Sequence, residues 1–270
     1  HLMPDPLAHY RALVSAQASL AAACYAGTLS PDLETLFPYD RAAAESDLPI
    51  SYDAQALVET VLVFCDFIAA VPQLFPAPLA TAHWRTRFLE EALTIHAQQW
   101  DIRAFLQSDP RFVALSHWNA NVDNAWFWRN AKGDLQCGLM DWGMVRPMNI
   151  GVGLWGGFSA AATPFLLAEL NGLLAHYAQE LCHLGGPRIS KTELDVHFDM
   201  ALAITGLSLM MDLPSLASTR LPHITSASAP LDPMIVNEKV VQGFLMVCTN
   251  FMSLWNQRDF IGSLAHIPRR

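Results

Sequence analysis

The chain has 270 residues, 52% of them hydrophobic and only 15% charged, so it can bury a large core and does not read as disordered. Sixteen basic residues against 25 acidic ones leave a net charge of −9, and Lys132, Lys191 and Lys239 are the only lysines. No basic stripe exists to track a phosphate backbone, so nucleic acid is not an expected partner.

Five cysteines (Cys24, Cys65, Cys137, Cys182 and Cys248) are odd in number, widely spaced and set among apolar residues. They predict free thiols in a reducing, cytoplasmic setting, with neither disulfides nor structural zinc. The start, HLMPDP, lacks the basic and apolar regions of a secretory leader.

In chain order, residues 5–27 carry apolar side chains at helical spacing, with Pro6 in the opening turn and Gly27 where a helix would be closed. SPDLETLFPYD (30–40) is punctuated and predicts an irregular stretch with one short turn. Residues 53–71 predict a core helix ended by Pro72, and 79–106 a long amphipathic helix or a pair. The period then changes. FVALSHW (112–118), AWFWRN (125–130) and LQCGLM (135–140) are rich in aromatic and β-branched residues, and AKGD (131–134) has turn chemistry, which together predict a β-hairpin.

The uncharged run from Pro147 to Ala168 is long enough to span a bilayer, but four glycines, two prolines and Asn149 interrupt it. It reads as a loop feeding a buried helix, and no membrane partner is expected. Residues 164–186, 190–211 and 236–256 predict helices, the second opened by the capping pair Ser190 and Glu193, with a loop at 221–233. The whole is one domain of the α+β class, predominantly α, with one small β-hairpin.

The segment LSHWNANVDNAWFW (115–128) crowds short polar side chains into a chain that is apolar elsewhere. A tight turn at Lys132 to Asp134 would bring Asn124 and Asp141 to the same end of the hairpin. An amide oxygen beside a carboxylate is a hard oxygen pair suited to Mg²⁺, which keeps most of its waters. Kinase catalytic loops place an Asp base five positions before a metal-binding Asn, with a second metal-binding Asp after the next hairpin. Asn119 and Asn124 have that spacing, although Asn119 is the wrong residue type for a base. The plainer alternative is that Asn124 and Asp141 merely cap strand ends.

The octet His117-Trp118-Asn119-Ala120-Asn121-Val122-Asp123-Asn124, followed by Leu139-Met140-Asp141-Trp142, resembles the aminoglycoside phosphotransferase and choline kinase superfamily, most nearly its ecdysteroid-kinase-like branch. That family carries H-G-D-x-x-x-x-N and then an apolar-D-W motif. Residues 14–38 and 173–198 are similar to its flanking helices, so the resemblance covers nearly the whole chain as the carboxy-terminal lobe of a protein-kinase-like fold. It implies ATP and Mg²⁺ as cofactors, a small hydroxylated acceptor, Asn124 and Asp141 as metal ligands, Asn119 in the place of the catalytic Asp, and His117 as a hydrogen-bonder at the catalytic loop.

Four departures accompany it. Asn119 cannot take a proton from a substrate hydroxyl, and general-base help is worth about two to four orders of magnitude in rate. Trp118 replaces a glycine, and Gly153 falls where the family has an Asp. The nucleotide-binding amino-terminal lobe, with its glycine-rich loop and phosphate-pairing lysine, has no counterpart within the 270 residues. Either an upstream portion lies outside this sequence or half a kinase has been lost.

Two functions are therefore expected: ATP- and Mg²⁺-dependent phosphoryl transfer impaired by Asn119, or an inactive pseudokinase that binds a ligand or a protein partner. Asp123 is a further candidate base, disfavoured because adjacent residues of an extended loop diverge. His83, His96, His176, His183 and His197 read as surface or satisfied core histidines. Trp126, Phe127 and Trp128 read as hairpin packing rather than a stacking platform.

Overall fold

A computed structural model describes residues 3–268. The first two residues of the HLMPDP start, on which the leader was assessed, lie outside the described residues.

The helices begin where side chains can satisfy free backbone N–H groups. Helix α1 (Pro6–Tyr25) is capped by Asp5, which accepts from the Ala8 N–H, and the chain leaves it through Gly27 at φ +65°. The expected short turn is α2 (Leu33–Leu36). A second short helix, α3 (Arg41–Ser46), was not anticipated; Asp40 caps it by accepting from the Ala42 and Ala43 N–H groups. Asp53 caps α4 (Ala54–Ala70), which stops before Pro72. The 79–106 stretch resolves into a pair, α5 (Ala82–Ala97) and α6 (Gln99–Leu106), broken at Gln98.

Four strands follow in two antiparallel ribbons. Strand β1 (Val113–His117) pairs with β4 (Val145–Asn149), Val113 facing Asn149 and His117 facing Val145. Strands β2 (Ala125–Arg129) and β3 (Leu135–Leu139) form the expected hairpin, with Ala125 facing Leu139 and Gly133 turning at φ +86°.

The reading of 147–168 as a loop feeding a helix needs correction at its start. Pro147 and Met148 belong to β4, where Pro147 faces Leu115 across a two-stranded ribbon. A proline is tolerated there because its missing donor can face the unpaired edge.

Helix α7 (Ile150–Phe158) then leads to α8 (Thr163–His183) and α9 (Lys191–Leu209). At the start of α9, Ser190 and Glu193 make both bonds of the capping box. The remaining helices are α10 (Leu213–Arg220), α11 (Pro233–Asn237), α12 (Lys239–Gln257) and α13 (Phe260–Leu264).

Helix α9 is the centre of the molecule, with α6, α7, α8, α12 and α13 packed around it. The aromatic core beside it contains Trp84 stacked on Phe88 at 5.0 Å, and Phe88, Phe251 and Trp255 meeting edge to face. Each such side chain, fully buried, contributes roughly 2–3 kcal/mol through area removed from water. The carboxyl end is tied to α9 by Arg258, which is bonded to Asp199 and, at 3.2 Å, to Asp195.

Among the described residues no single helix is long and apolar enough to cross a membrane. Helices α9 and α10 pass that test only jointly, bend by 43° between them, and α9 is largely buried. All five cysteines are free thiols.

At the Val113/Asn149 end of the first ribbon, the β4–α7 corner is held by a buried polar knot. The Asn149 amide donates to the Leu106 carbonyl at 2.7 Å and to Nδ1 of His197 at 2.9 Å, and its oxygen accepts from the Gly151 N–H at 2.9 Å. His197 stacks on Phe112 at 3.7 Å and on Phe105 at 4.5 Å. Burial pushes its pKa down to about 4; Asp109 and Glu193 pull it up, and Arg111 adds to the lowering. It is a neutral core histidine, one of the two fates expected of it.

Candidate functional site

The asparagine-rich loop fills the other end of the β1–β4 ribbon, between β1 and β2. His117 is buried, and its Nε2–H donates to the Met140 carbonyl at 2.9 Å, fastening the loop to the chain leaving β3. Among the described residues the other ring nitrogen, Nδ1, is buried and has no hydrogen-bond partner. The ring also leans on Trp142 at 5.0 Å, and the Trp142 indole N–H donates to the Leu139 carbonyl at 3.2 Å.

The loop itself is a chain of local bonds. The Asn124 amide donates to the Asn119 carbonyl at 2.8 Å, the Asn121 amide donates to Oδ1 of Asn119 at 2.8 Å, and Oδ1 of Asn121 accepts from the Asp123 N–H at 2.9 Å. Short polar side chains crowd here because each satisfies a backbone or side-chain group that a tight loop would leave unpaired.

Asn124 and Asp141 are brought to one end of the β2–β3 ribbon by a backbone bond, the Met140 N–H donating to the Asn124 carbonyl at 2.9 Å. Asn124 is half-buried and Asp141 is exposed. Among the described residues, neither Oδ1 of Asn124 nor the Asp141 carboxylate makes a hydrogen bond or ion pair. Asp141 sits at φ +62°, ψ +61°, a left-handed conformation that costs a side-chain-bearing residue of order 1 kcal/mol or more.

Asn119 is half-buried. With its oxygen engaged by Asn121, its uncommitted group is an NH₂ donor. Asp123 is exposed, and its charge acts on the Tyr10 hydroxyl of α1, helping burial to raise that group's pKa.

The loop lies directly on α7, with backbone against backbone. A Cβ on Gly156 would fall 1.5 Å from the Trp118 carbonyl oxygen, and one on Gly157 3.1 Å from that of Ala120. The close approach made beside Trp118 is therefore accommodated by glycines on the helix side. Gly153 packs on the Ser116 side chain, where an added Cβ would lie 3.0 Å from the Ser116 Cβ. Its carbonyl accepts from the Gln17 amide at 3.3 Å.

Gln17, Gly156 and Gly157 escaped the sequence reading. The glycines were visible only as interruptions of an apolar run, and Gln17 as one polar residue on a helix.

The other histidines stand apart from this loop. His83 and His183 are exposed, His96 bonds the Tyr52 carbonyl, and His176 bonds the Ser15 hydroxyl at 2.9 Å.

The aromatic run divides by face. Phe127 packs inward, edge-on to His9 at 4.8 Å. Trp126 and Trp128, by contrast, stack on each other at 6.0 Å and are 50% and 44% exposed. Hairpin packing thus accounts for Phe127 and for the side of Trp126 that covers Gly138, but not for the outer faces of the two tryptophans.

No group of three or more His, Cys, Asp and Glu side chains is arranged to hold a metal among the described residues. No protein-family model, curated protein or solved structure matches the chain.

Proposed function

We propose that the chain is a kinase-like carboxy-terminal lobe of the small-molecule phosphotransferase lineage. It holds Mg²⁺ through Asn124 and Asp141 and acts on a small hydroxylated acceptor with ATP as phosphoryl donor. The observation that carries this reading is the backbone bond from Met140 to Asn124, which sets an amide oxygen and a carboxylate, neither bonded to protein, at one end of the β2–β3 ribbon. Two hard oxygens facing water fit a divalent ion that retains most of its hydration shell. When bound, the metal would neutralise charge on a transferring phosphoryl group.

Asn119 offers an acceptor hydroxyl a donor and no base, so it orients the substrate without removing its proton. Transfer would then rest on positioning and charge neutralisation, with a turnover about two to four orders of magnitude below that of a site with a general base. The residues present do not fit the nucleotide as they fit the metal: no lysine precedes the loop and no glycine-rich strand turn supplies a phosphate cradle.

A second reading, an inactive pseudokinase that binds a small ligand or a protein partner, is favoured by the same Asn119–Asn121 bond, which occupies the oxygen where a base would act.

Calorimetry with Mg²⁺ alone and with Mg²⁺ and ATP tests both readings. Metal binding that is lost in Asp141→Ala supports the phosphotransferase lineage, and absence of binding in the parent chain overturns it. Asn119→Asp keeps the Asn121 donor on one carboxylate oxygen and frees the other. It should raise phosphotransfer to a hydroxylated acceptor at least about tenfold. Metal and nucleotide binding without that gain selects the pseudokinase reading.

A further inference from the structure

We propose that β2 is a dimerisation edge, pairing antiparallel with β2 of a second copy of this chain across a two-fold axis at Phe127. The inference rests on the ribbon's geometry and is independent of the phosphotransferase reading.

Strand β2 is the outer strand of its ribbon. Its sheet has two strands, β3 packs against α1, and among the described residues no other element packs extensively on β2. The bonds from Met140 N–H to the Asn124 carbonyl and from Asn130 N–H to the Asp134 carbonyl fix which residues face β3. In an antiparallel pair, hydrogen-bonded and non-hydrogen-bonded positions alternate. Asn124, Trp126, Trp128 and Asn130 therefore bond toward β3, while Ala125, Phe127 and Arg129 aim their N–H and C=O groups outward. Among the described residues, none of those outward groups has a hydrogen-bond partner. Nor is the edge blunted as edge strands commonly are: it contains no proline, and its single charge, Arg129, is turned back to donate to the Gly133 carbonyl at 2.7 Å.

The occupant follows from the strand's own symmetry. Ala-Trp-Phe-Trp-Arg, reversed about Phe127, sets Ala125 against the second copy's Arg129 and Trp126 against its Trp128. An isologous interface demands this self-match. The outward N–H and C=O groups make 125 with 129, and 127 with 127, the hydrogen-bonded pairs. Both Trp126–Trp128 pairs then occupy the non-hydrogen-bonded positions, where facing Cα atoms approach to about 4.5 Å and aromatic cross-strand pairs gain most. Arg129, the one charge in the strand, meets Ala125 of the second copy, so the pairing brings no two like charges together.

The pairing joins two ribbons into one four-stranded sheet whose open face carries four tryptophans. Trp126 and Trp128 are the exposed aromatic type that anchors interfaces. The exposed Met140, opposite Asn124 in the same register, lies on the same face as the two tryptophans.

Sedimentation velocity on the full chain over two decades of concentration should show mass rising from one chain to two. Amide hydrogen exchange followed over the same series locates the contact. Trp126 and Trp128 amides, bonded to β3, should be protected at every concentration, whereas Phe127 and Arg129 amides should gain protection only as the dimer forms. Arg129→Pro removes one outward N–H without touching a β3 bond, and Trp128→Lys puts a charge opposite Trp126. Each should weaken self-association at least about tenfold, with the far-ultraviolet spectrum unchanged. A chain that stays monomeric throughout overturns the proposal. So does a dimer in which the Phe127 and Arg129 amides gain nothing, because its contact lies on another surface.

Discussion

The two ends of the β1–β4 ribbon are built from the same residue types and come to opposite arrangements. At one end Asn149 and His197 form a closed knot in which both polar atoms of the asparagine side chain are bonded, and aromatic rings cover the histidine. At the other end Asn119, Asn121, Asn124 and His117 form an open loop. Its asparagines bond mostly within the loop, His117 ties it to Met140, and among the described residues Oδ1 of Asn124 and the neighbouring Asp141 carboxylate have no hydrogen-bond partner. The same residue types are thus fully committed where the core encloses them, and keep an unbonded acceptor where the bonds are mostly local.

The largest expected effect lies in the closed knot. Asn149→Ala orphans the Leu106 carbonyl, Nδ1 of His197 and the Gly151 N–H together in a buried site. It should cost about 3–5 kcal/mol in denaturant unfolding. A cost below about 1 kcal/mol would break the contrast between the two ends.

Acid comes next. The folded His197 stays neutral down to about pH 4, while the unfolded chain takes up its proton near 6.5. Stability attributable to this residue is complete above pH 6.5 and falls as the pH drops from 6.5 to 4, by up to about 3 kcal/mol. Asp109 and Glu193, whose carboxyls are held below their usual range chiefly by bonds to Arg111 and Ser190 respectively, add their losses at still lower pH. Unfolding curves at several pH values check this, and His197→Gln should flatten the upper window while leaving the lower one.

The smallest effect belongs to the open loop. Asn124→Ala removes one half-exposed bond that water can replace, so it should cost about 1 kcal/mol or less. The same substitution should remove Mg²⁺ binding in calorimetry, sharpening the difference between a residue kept for the fold and one kept for a site.

Much of this architecture could be read ahead of the structure where the determining interactions are local. Ser190 with Glu193, the proline after α4, Gly27 and the turn around Gly133 act within a few residues, and each element they delimit is present. Strand β4 was missed because VRPMN has neither alternation nor β-branched density. Its extended state is imposed by β1, some thirty residues earlier, and its exit by His197, forty-eight residues later.

The convergence of Asn124 and Asp141 at one ribbon end was legible, since hairpin register follows from turn length. The glycine contacts of α7 with the loop were not, because they depend on how a helix docks rather than on what it contains. Nor could spacing tell which face of WFW is buried; α1, which lies under the ribbon, decides that.

The left-handed backbone at Asp141 has a consequence for how this chain tolerates change. Glycine would adopt that geometry without strain, so a population screened for thermal resistance alone should drift toward glycine at position 141. An acid that persists there under such pressure is being retained by something other than folding.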